Sequence, residues 1–304
     1  MMKPASERVR IYGLEADANP GALGEKAMGL IELESLGLRV PEALIVPPGW
    51  YERYRDAENR TALLDDLCGE ICVLQESIDG PVPLLSFRCG MKSRRGEPKR
   101  FPDSVLNIGL NPLGSAAARA HAVGDAFVEE LRAVCAAHAE AFHAFLHLEM
   151  PHEFPDRPLE HQMRMLVTAF YDYLMREERT EAGRPLATVI VQRMVFGNLT
   201  PRSLTGMCYT RHPHTGLPMD YGHFIRGRQG MALGGTMSPR QQDLSEMPDV
   251  NPDAYRQLRA ACTLIEEHYN DVRCLEYTAE DDVLFLLQNS IGNRTFRMNA
   301  EDGS

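Results

Sequence analysis

The chain has 304 residues, 44% of them hydrophobic and 25% charged, enough to bury a full core as one large domain or as two lobes. Lysine and arginine number 32 against 43 acids, a formal net charge of −11, which argues against a general nucleic-acid coat because phosphate backbones need a positive surface. No apolar run reaches bilayer-spanning length and the N-terminal Met1-Met2-Lys3-Pro4 stretch lacks a signal-peptide core, so a cytoplasmic protein with neither membrane nor nucleic acid as partner is expected.

In chain order, Ile11-Tyr12-Gly13-Leu14 reads as a short strand, broken by Asn19-Pro20-Gly21. A helix follows from near Leu23, with Leu23, Ala27, Leu30, Ile31 and Leu33 at helical spacing and Gly37 as its stop. Lys26 stands at that helix's start. A solvated surface lysine is the ordinary reading there, while a lysine beside free helix N–H groups can also hold an anion. Ala43-Leu44-Ile45-Val46 is a strand ended by Pro47-Pro48-Gly49, and residues 51–80 form a helical connection. The next strand, Pro83 to Gly90, terminates in an Arg and a Gly, and the fork of Arg88 near its end suits phosphate oxygens. After it comes the basic, Gly/Pro-broken loop Lys92–Arg100; closure over a polyphosphate and a solvated turn are both open readings.

Residues 115–148 carry a helical stripe of Ala122, Phe127, Leu131, Val134, Cys135, His138, Phe142 and Phe145. His121, His138, His143 and His147 have no acidic or thiol partner at ligand spacing, so surface or core histidines are expected rather than a metal site. A second helix enters through Phe154–Gln162 and turns Met165, Leu166, Ala169, Phe170 and Tyr173 inward. The charge run Arg176–Glu181 reads as its solvated end.

Thr188-Val189-Ile190-Val191 is β-branched in the manner of a buried strand and runs on through Gln192-Arg193-Met194-Val195-Phe196 to Gly197-Asn198. A polar loop to Thr205-Gly206 precedes a strand Met207-Cys208-Tyr209-Thr210 and the turn Arg211–Gly216. These residues alone fit an ordinary core hairpin; they equally suit a slot where backbone groups meet the edge of a flat ring and Met194 and Val195 cover its faces. Residues 252–269 form an amphipathic helix, and Val272–Tyr277 and Val283–Gln288 flank an acidic turn as a hairpin. The seven cysteines are scattered and without CxxC spacing, so reduced core thiols are expected.

Two long stretches in this order, Gln192-Arg193-Met194-Val195-Phe196-Gly197-Asn198 and Thr205-Gly206-Met207-Cys208-Tyr209-Thr210-Arg211-His212-Pro213-His214-Thr215-Gly216, resemble the nucleotide-binding domain of the pyruvate phosphate dikinase and phosphoenolpyruvate synthase family. So do Gly24-Glu25-Lys26-Ala27, Leu36–Pro41, the strand ending in Arg88, and Asp103–Asn111. The resemblance covers nearly all of residues 11–295. It implies an α/β (α+β) ATP-grasp fold of two lobes with the nucleotide cleft between them: an N-terminal lobe over 1–112, a trimmed helical insertion over 113–184 and a C-terminal lobe over 185–304.

By the same resemblance the cofactors are ATP and Mg²⁺. Lys26 and Arg88 inherit contacts to the phosphates and the catalytic role; Gln192, Met194, Val195, Thr205, Gly206 and Gln288 inherit the nucleotide, and Glu276 both nucleotide and metal. The pattern departs at Cys274 and Met231, where acids are expected, at His223 in a third acidic position, and at Ser290 in place of an arginine. A thiol and a thioether are poor ligands for so hard a cation. None of the ten histidines lies in a phosphohistidine signature. The implied function is an ATP-dependent phosphotransferase domain acting on a separately encoded phosphohistidine or acceptor protein, or on a small-molecule acceptor. The alternatives are a catalytically weakened nucleotide-binding or regulatory domain and, on fold alone, an ATP-grasp carboxylate–amine ligase.

Overall fold

The structure is a computed structural model describing residues 8–12, 23–78, 82–92, 104–110, 124–151, 153–180, 186–229 and 241–292. It combines helices with two five-stranded sheets, the mixed α/β architecture expected from the sequence. The chain divides into two compact units. One comprises Val9–Ala27 and Glu42–Met194, the other Met1–Arg8, Met28–Pro41 and Val195–Ser304.

In the unit of Val9–Ala27 and Glu42–Met194, the sheet is built from β1 (Val9–Ile11), β2 (Ala43–Val46), β3 (Leu85–Lys92), β4 (Ser104–Ile108) and β5 (Leu186–Arg193), in the order β1-β2-β5-β3-β4. β1 and β2 are parallel, and every other pair is antiparallel. Leu44, Val46, Leu85, Phe87, Cys89, Val189 and Val191 project to one face and join a buried cluster with α2 (Pro48–Asp56), α3 (Arg60–Glu76), α4 (Gly124–Phe145) and α5 (Leu159–Thr180). Alternation along each strand therefore sends Ser86, Arg88, Thr188, Ile190 and Gln192 to the opposite face. Aromatic side chains fill the helical layer: Trp50 stacks on Tyr54 at 5.6 Å, and Tyr51 on Tyr171 at 5.7 Å.

Several elements differ from the sequence reading. Pro47-Pro48-Gly49 ends β2 as expected but also begins α2, because a proline in the first helical turn forfeits no helical hydrogen bond. The end of α5 is not simply solvated: Glu178 accepts a hydrogen bond from the Tyr51 hydroxyl at 2.8 Å and from Arg55 at 3.2 Å. His143 agrees with the reading of surface or core histidines, being 3% exposed with Nδ1 2.8 Å from the Ala139 carbonyl. Met165 is only half-buried, while Leu166, Ala169, Phe170 and Tyr173 face the core.

In the other unit, β6 (Leu204–Tyr209), β7 (Tyr221–Arg226), β8 (Gln242–Asp243), β9 (Arg273–Glu280) and β10 (Val283–Ile291) form an antiparallel sheet in the order β10-β9-β6-β7-β8. A helix, α7 (Pro252–Tyr269), follows the short α6 (Met247–Val250) and buries Ala254, Leu258, Ala261, Cys262 and Ile265. Asn251 caps α7 by accepting from the Ala254 N–H at 3.0 Å, and Asn270 ends it at φ +49°. Helix α1 (Glu25–Ser35) continues into this unit from Met28 onward, and Gly29 packs on β10 so closely that a Cβ would lie 3.0 Å from the Asn289 carbonyl. β6 begins three residues before the expected strand. Leu204, Thr205 and Gly206 read in sequence as the end of a polar loop, yet Thr205 is buried, its hydroxyl bonding Thr278 Oγ1 at 3.0 Å and the Tyr277 carbonyl at 3.2 Å.

Candidate functional site

Lys26 and Arg88 are far apart in sequence, and strand β5 brings them to one region. Arg88 pairs with Ile190 on one side and Ser104 on the other, and Gly90 pairs with Thr188. The Thr188 hydroxyl donates to the Leu23 carbonyl at 2.7 Å, which ties the lead-in of α1 to the same strand. Lys26, in the first turn of α1, consequently lies near enough to β3 for its charge to act on the Cys89 thiol, pulling against the burial that holds that thiol well above its ordinary range. Both cations are half-buried.

The same sheet face continues to the end of β5. Gln192 pairs with Ser86 and Ala43, and the Ser86 hydroxyl donates to the Gln192 carbonyl at 3.2 Å. Gln192 is 3% exposed, yet its Nε2 has no hydrogen-bond partner among the described residues. A buried amide without an acceptor is unfavourable by about 1–3 kcal/mol unless something else meets it. From Met194 back to the Arg88 row is four residues, roughly 13 Å at strand rise. That is the length scale separating a nucleobase from the end of an extended triphosphate.

Past β5 the backbone bonds are largely taken. The N–H of Arg193 goes to Glu42 at 2.8 Å, that of Met194 to Leu84 at 2.8 Å, and that of Phe196 to the Glu280 carboxylate at 2.9 Å. The Val195 N–H makes no such bond among the described residues, nor do the carbonyls of Met194 and Val195 accept one. Met194 and Val195 are 7% and 6% exposed. A hydrogen-bond donor with acceptors at hand, bordered by two apolar side chains, has the chemistry of a ring-edge contact.

In the other unit, register sets the remaining candidates in one line. Gln288 pairs with Glu276, Glu276 with Met207, Met207 with His223 and His223 with Asp243. These five share a sheet face, opposite the one that receives Cys208 and Tyr277. The adjacent line is Ser290, Cys274, Tyr209 and Tyr221, with the Ser290 hydroxyl 3.4 Å from the Cys274 carbonyl. Thr205 lies on the same face in the line with Thr278 and Ile225. Gly206 faces the other way and is required there: a Cβ would meet the His223 carbonyl and stand 2.6 Å from the Tyr277 hydroxyl. Glu276 and Gln288, nominated separately from sequence, are thus direct neighbours, and the replaced positions Cys274 and Ser290 are neighbours one step along.

Two of the titratable groups on that face are neutral. Burial pushes the Cys274 thiol up to about 11 and lowers the pKa of His223, so both are neutral near pH 7. Among the described residues no group of three or more His, Cys, Asp and Glu side chains is arranged to hold a metal ion. Glu276 and the Gln288 carboxamide offer oxygen donors for a fraction of a magnesium shell, which leaves the rest to phosphate oxygens and water. The basic loop beyond Lys92, Asp103, His121, Met231 and residues 234–239 lie outside the described residues.

Sequence reasoning overlooked Thr188 and Glu280, which fix the two ends of the stretch bearing Gln192, Met194 and Val195. Thr188 and Gln192 are polar residues four apart in an otherwise apolar strand, and that interruption was the available signal. Glu280 had none, since an acidic residue before Asp281-Asp282 reads as part of a solvated turn.

No family model matches the chain. Curated proteins do. It is 28% identical to a chloroplastic pyruvate, phosphate dikinase of Flaveria pringlei across 90% of its own length and 34% of the relative's. It is 27% identical to pyruvate, phosphate dikinase 1 of Arabidopsis thaliana, covering 96% of this chain and 36% of that one, and 28% identical to pyruvate, phosphate dikinase 2 of Zea mays, covering 90% and 36%. Homologues of this chain therefore include pyruvate, phosphate dikinases, in agreement with the motifs, and the chain spans about a third of the length of these relatives.

Proposed function

We propose that the chain is an ATP-binding phosphotransferase domain with an ATP-grasp fold, corresponding to the ATP-handling portion of a pyruvate, phosphate dikinase and passing its phosphoryl group to a separate acceptor. The observation that carries this reading is the single sheet face on which Gln192, Arg88 and the start of α1 with Lys26 follow one another from the end of β5. Adenine would lie against Met194 and Val195, its ring nitrogen taking the Val195 N–H and its amino group a neighbouring carbonyl. The Gln192 amide meets the sugar or base, and Arg88 and Lys26 neutralise the phosphates. In the other unit, Thr205, Gln288 and Glu276 share a sheet face and are its candidates for nucleotide contact, while Gly206 keeps that sheet closely packed.

Magnesium supplies charge neutralisation at the phosphates when bound, and Glu276 with Gln288 would hold it. The chain's own contribution to transfer is positional: cations fixed by backbone pairing keep the terminal phosphate in place while the acceptor approaches. The acceptor is a phosphorylatable protein side chain or a small molecule.

A second reading is favoured by one observation, the Cys274–Ser290 pair beside Glu276 and Gln288. A neutral thiol and hydroxyl there supply neither metal ligation nor positive charge, so the domain would bind nucleotide and regulate without transferring. One experiment separates the two: ATP turnover with and without candidate acceptors, alongside nucleotide-induced change in melting temperature. Turnover that requires an acceptor and falls in Lys26→Ala and Arg88→Ala supports the transferase. Stabilisation without turnover supports the regulator, and neither effect at any ATP concentration rejects both.

A further inference from the structure

The side of the β6–β9 sheet facing away from Glu276 carries a pair of sulfurs that the nucleotide reading does not use. Cys208 projects from β6 and Cys262 from α7; both are buried, and their Sγ atoms are 3.9 Å apart across 54 residues of sequence. The other cysteines are placed differently. Cys274 is on β9, but alternation puts it on the opposite face of that sheet, while Cys68, Cys72, Cys89 and Cys135 belong to the other unit. Arg259 stands one turn before Cys262 on α7, held by Asp220 at 3.2 Å. The hydrogen bond between the two sulfurs holds the Cys262 thiol below its ordinary range and the Cys208 thiol, which burial also raises, well above it, while the Arg259 charge pulls both down. Closing the gap to a bond of roughly 2.05 Å asks each sulfur to move about 1 Å, a displacement on the scale of a side-chain torsion.

We propose that Cys208 and Cys262 form a redox-active dithiol, oxidised by a peroxide to a disulfide that ties β6 to α7. Both sulfurs being buried, the step follows local opening of the contact between α7 and β6: Cys262 gives its proton to the entering solvent, and its thiolate attacks one oxygen of the peroxide. An S–O bond forms, the O–O bond breaks, and the second oxygen leaves with a proton as water or an alcohol. The Cys208 sulfur then attacks the sulfenic sulfur; the S–S bond forms as the S–O bond breaks, and hydroxide departs as water with the Cys208 proton. Two thiols and one peroxide become one disulfide, one water and one water or alcohol, with two electrons passing from the sulfurs to the O–O bond. Because β6 also carries Thr205 and Met207 on its other face, the bond would fix the strand beneath the candidate nucleotide residues without consuming any of them.

The test is treatment of the folded full chain with hydrogen peroxide, alkylation of remaining thiols after denaturation, and peptide mapping by mass spectrometry. The expected result is a linked peptide joining Cys208 to Cys262, lighter than the sum of its parts by two hydrogens and abolished by dithiothreitol. Cys262→Ser is expected to remove that peptide, and Cys72→Ser, at a half-exposed thiol elsewhere, to leave it unchanged. Where a core variant folds poorly, the wild-type peptide map decides alone. Oxidation that spends Cys72 or Cys274 while Cys208 and Cys262 are recovered alkylated overturns the proposal, as does a linkage that appears only once the chain is unfolded. Neither result bears on nucleotide binding.

Discussion

At the scale of single residues, the candidate site depends on side chains whose positions are set by partners that never touch a ligand. Arg88 is fixed by strand pairing, so its removal should leave the fold intact. On the proposed function, replacing Arg88 or Lys26 by alanine would delete a charge-assisted contact worth about 1.5–3 kcal/mol, roughly a 10- to 150-fold loss in ATP affinity measurable by calorimetric titration. Gly206 makes the opposite case. Gly206→Ala forces a Cβ against the His223 carbonyl and the Tyr277 hydroxyl, both packed inside the sheet. Overpacking of this kind costs about 1–3 kcal/mol, to be seen as a lower urea midpoint with unchanged slope.

Two histidines, buried His143 and half-buried His138, give a pH dependence of definite sign. Burial lowers the pKa of His138 and His143 below the ordinary 6.5, outweighing hydrogen bonds to the Ser104 and Ala139 carbonyls. The unfolded chain therefore binds more protons than the folded one as pH falls below that value. Stability is fully present above about pH 6.5 and declines toward the folded pKa values. Unfolding in urea at about pH 7.5 and pH 5.5 should show the loss, and the double variant His138→Gln, His143→Gln should reduce it, leaving the share of His223, whose pKa burial also lowers.

At the scale of elements, β5 organises its unit, since both β2 and β3 pair with it and the α1 lead-in hangs from Thr188. Thr188→Val keeps shape and β propensity but leaves the Leu23 carbonyl without its donor, a cost of about 1–3 kcal/mol. Because that bond also positions Lys26, ATP affinity should fall with stability, whereas a valine at an unrelated buried threonine should affect stability alone. Much of this element map was legible in the sequence. β2 and α7 fall where an apolar run and a 3.6-residue period put them, because burial on one face is what those patterns encode. The start of β6 was not legible, since Thr205 is polar and its burial depends on Thr278, a residue 73 positions away. The adjacency of Glu276 and Gln288 follows from hairpin register and a bulge between Leu286 and Gln288, neither of which leaves a local trace in composition.

At the scale of the whole molecule, the charge balance makes the metal requirement the most informative measurement. The sequence carries the cations Lys26 and Arg88, while the face bearing Glu276 and Asp243 also presents neutral Cys274, Ser290 and His223. Phosphates surrounded by few acids need less divalent cation to offset repulsion. Binding of free ATP should therefore depend only weakly on Mg²⁺, whereas transfer, in which charge builds on the leaving phosphate, should still require it. A ligand present at 100 times its Kd stabilises the folded chain by about 2.7 kcal/mol. Thermal unfolding with ATP plus EDTA and with ATP plus magnesium should give nearly the same upward shift in Tm. A shift seen only with magnesium would mean that metal-bound ATP is the species recognised, with Glu276 contributing directly; Glu276→Gln would then abolish it.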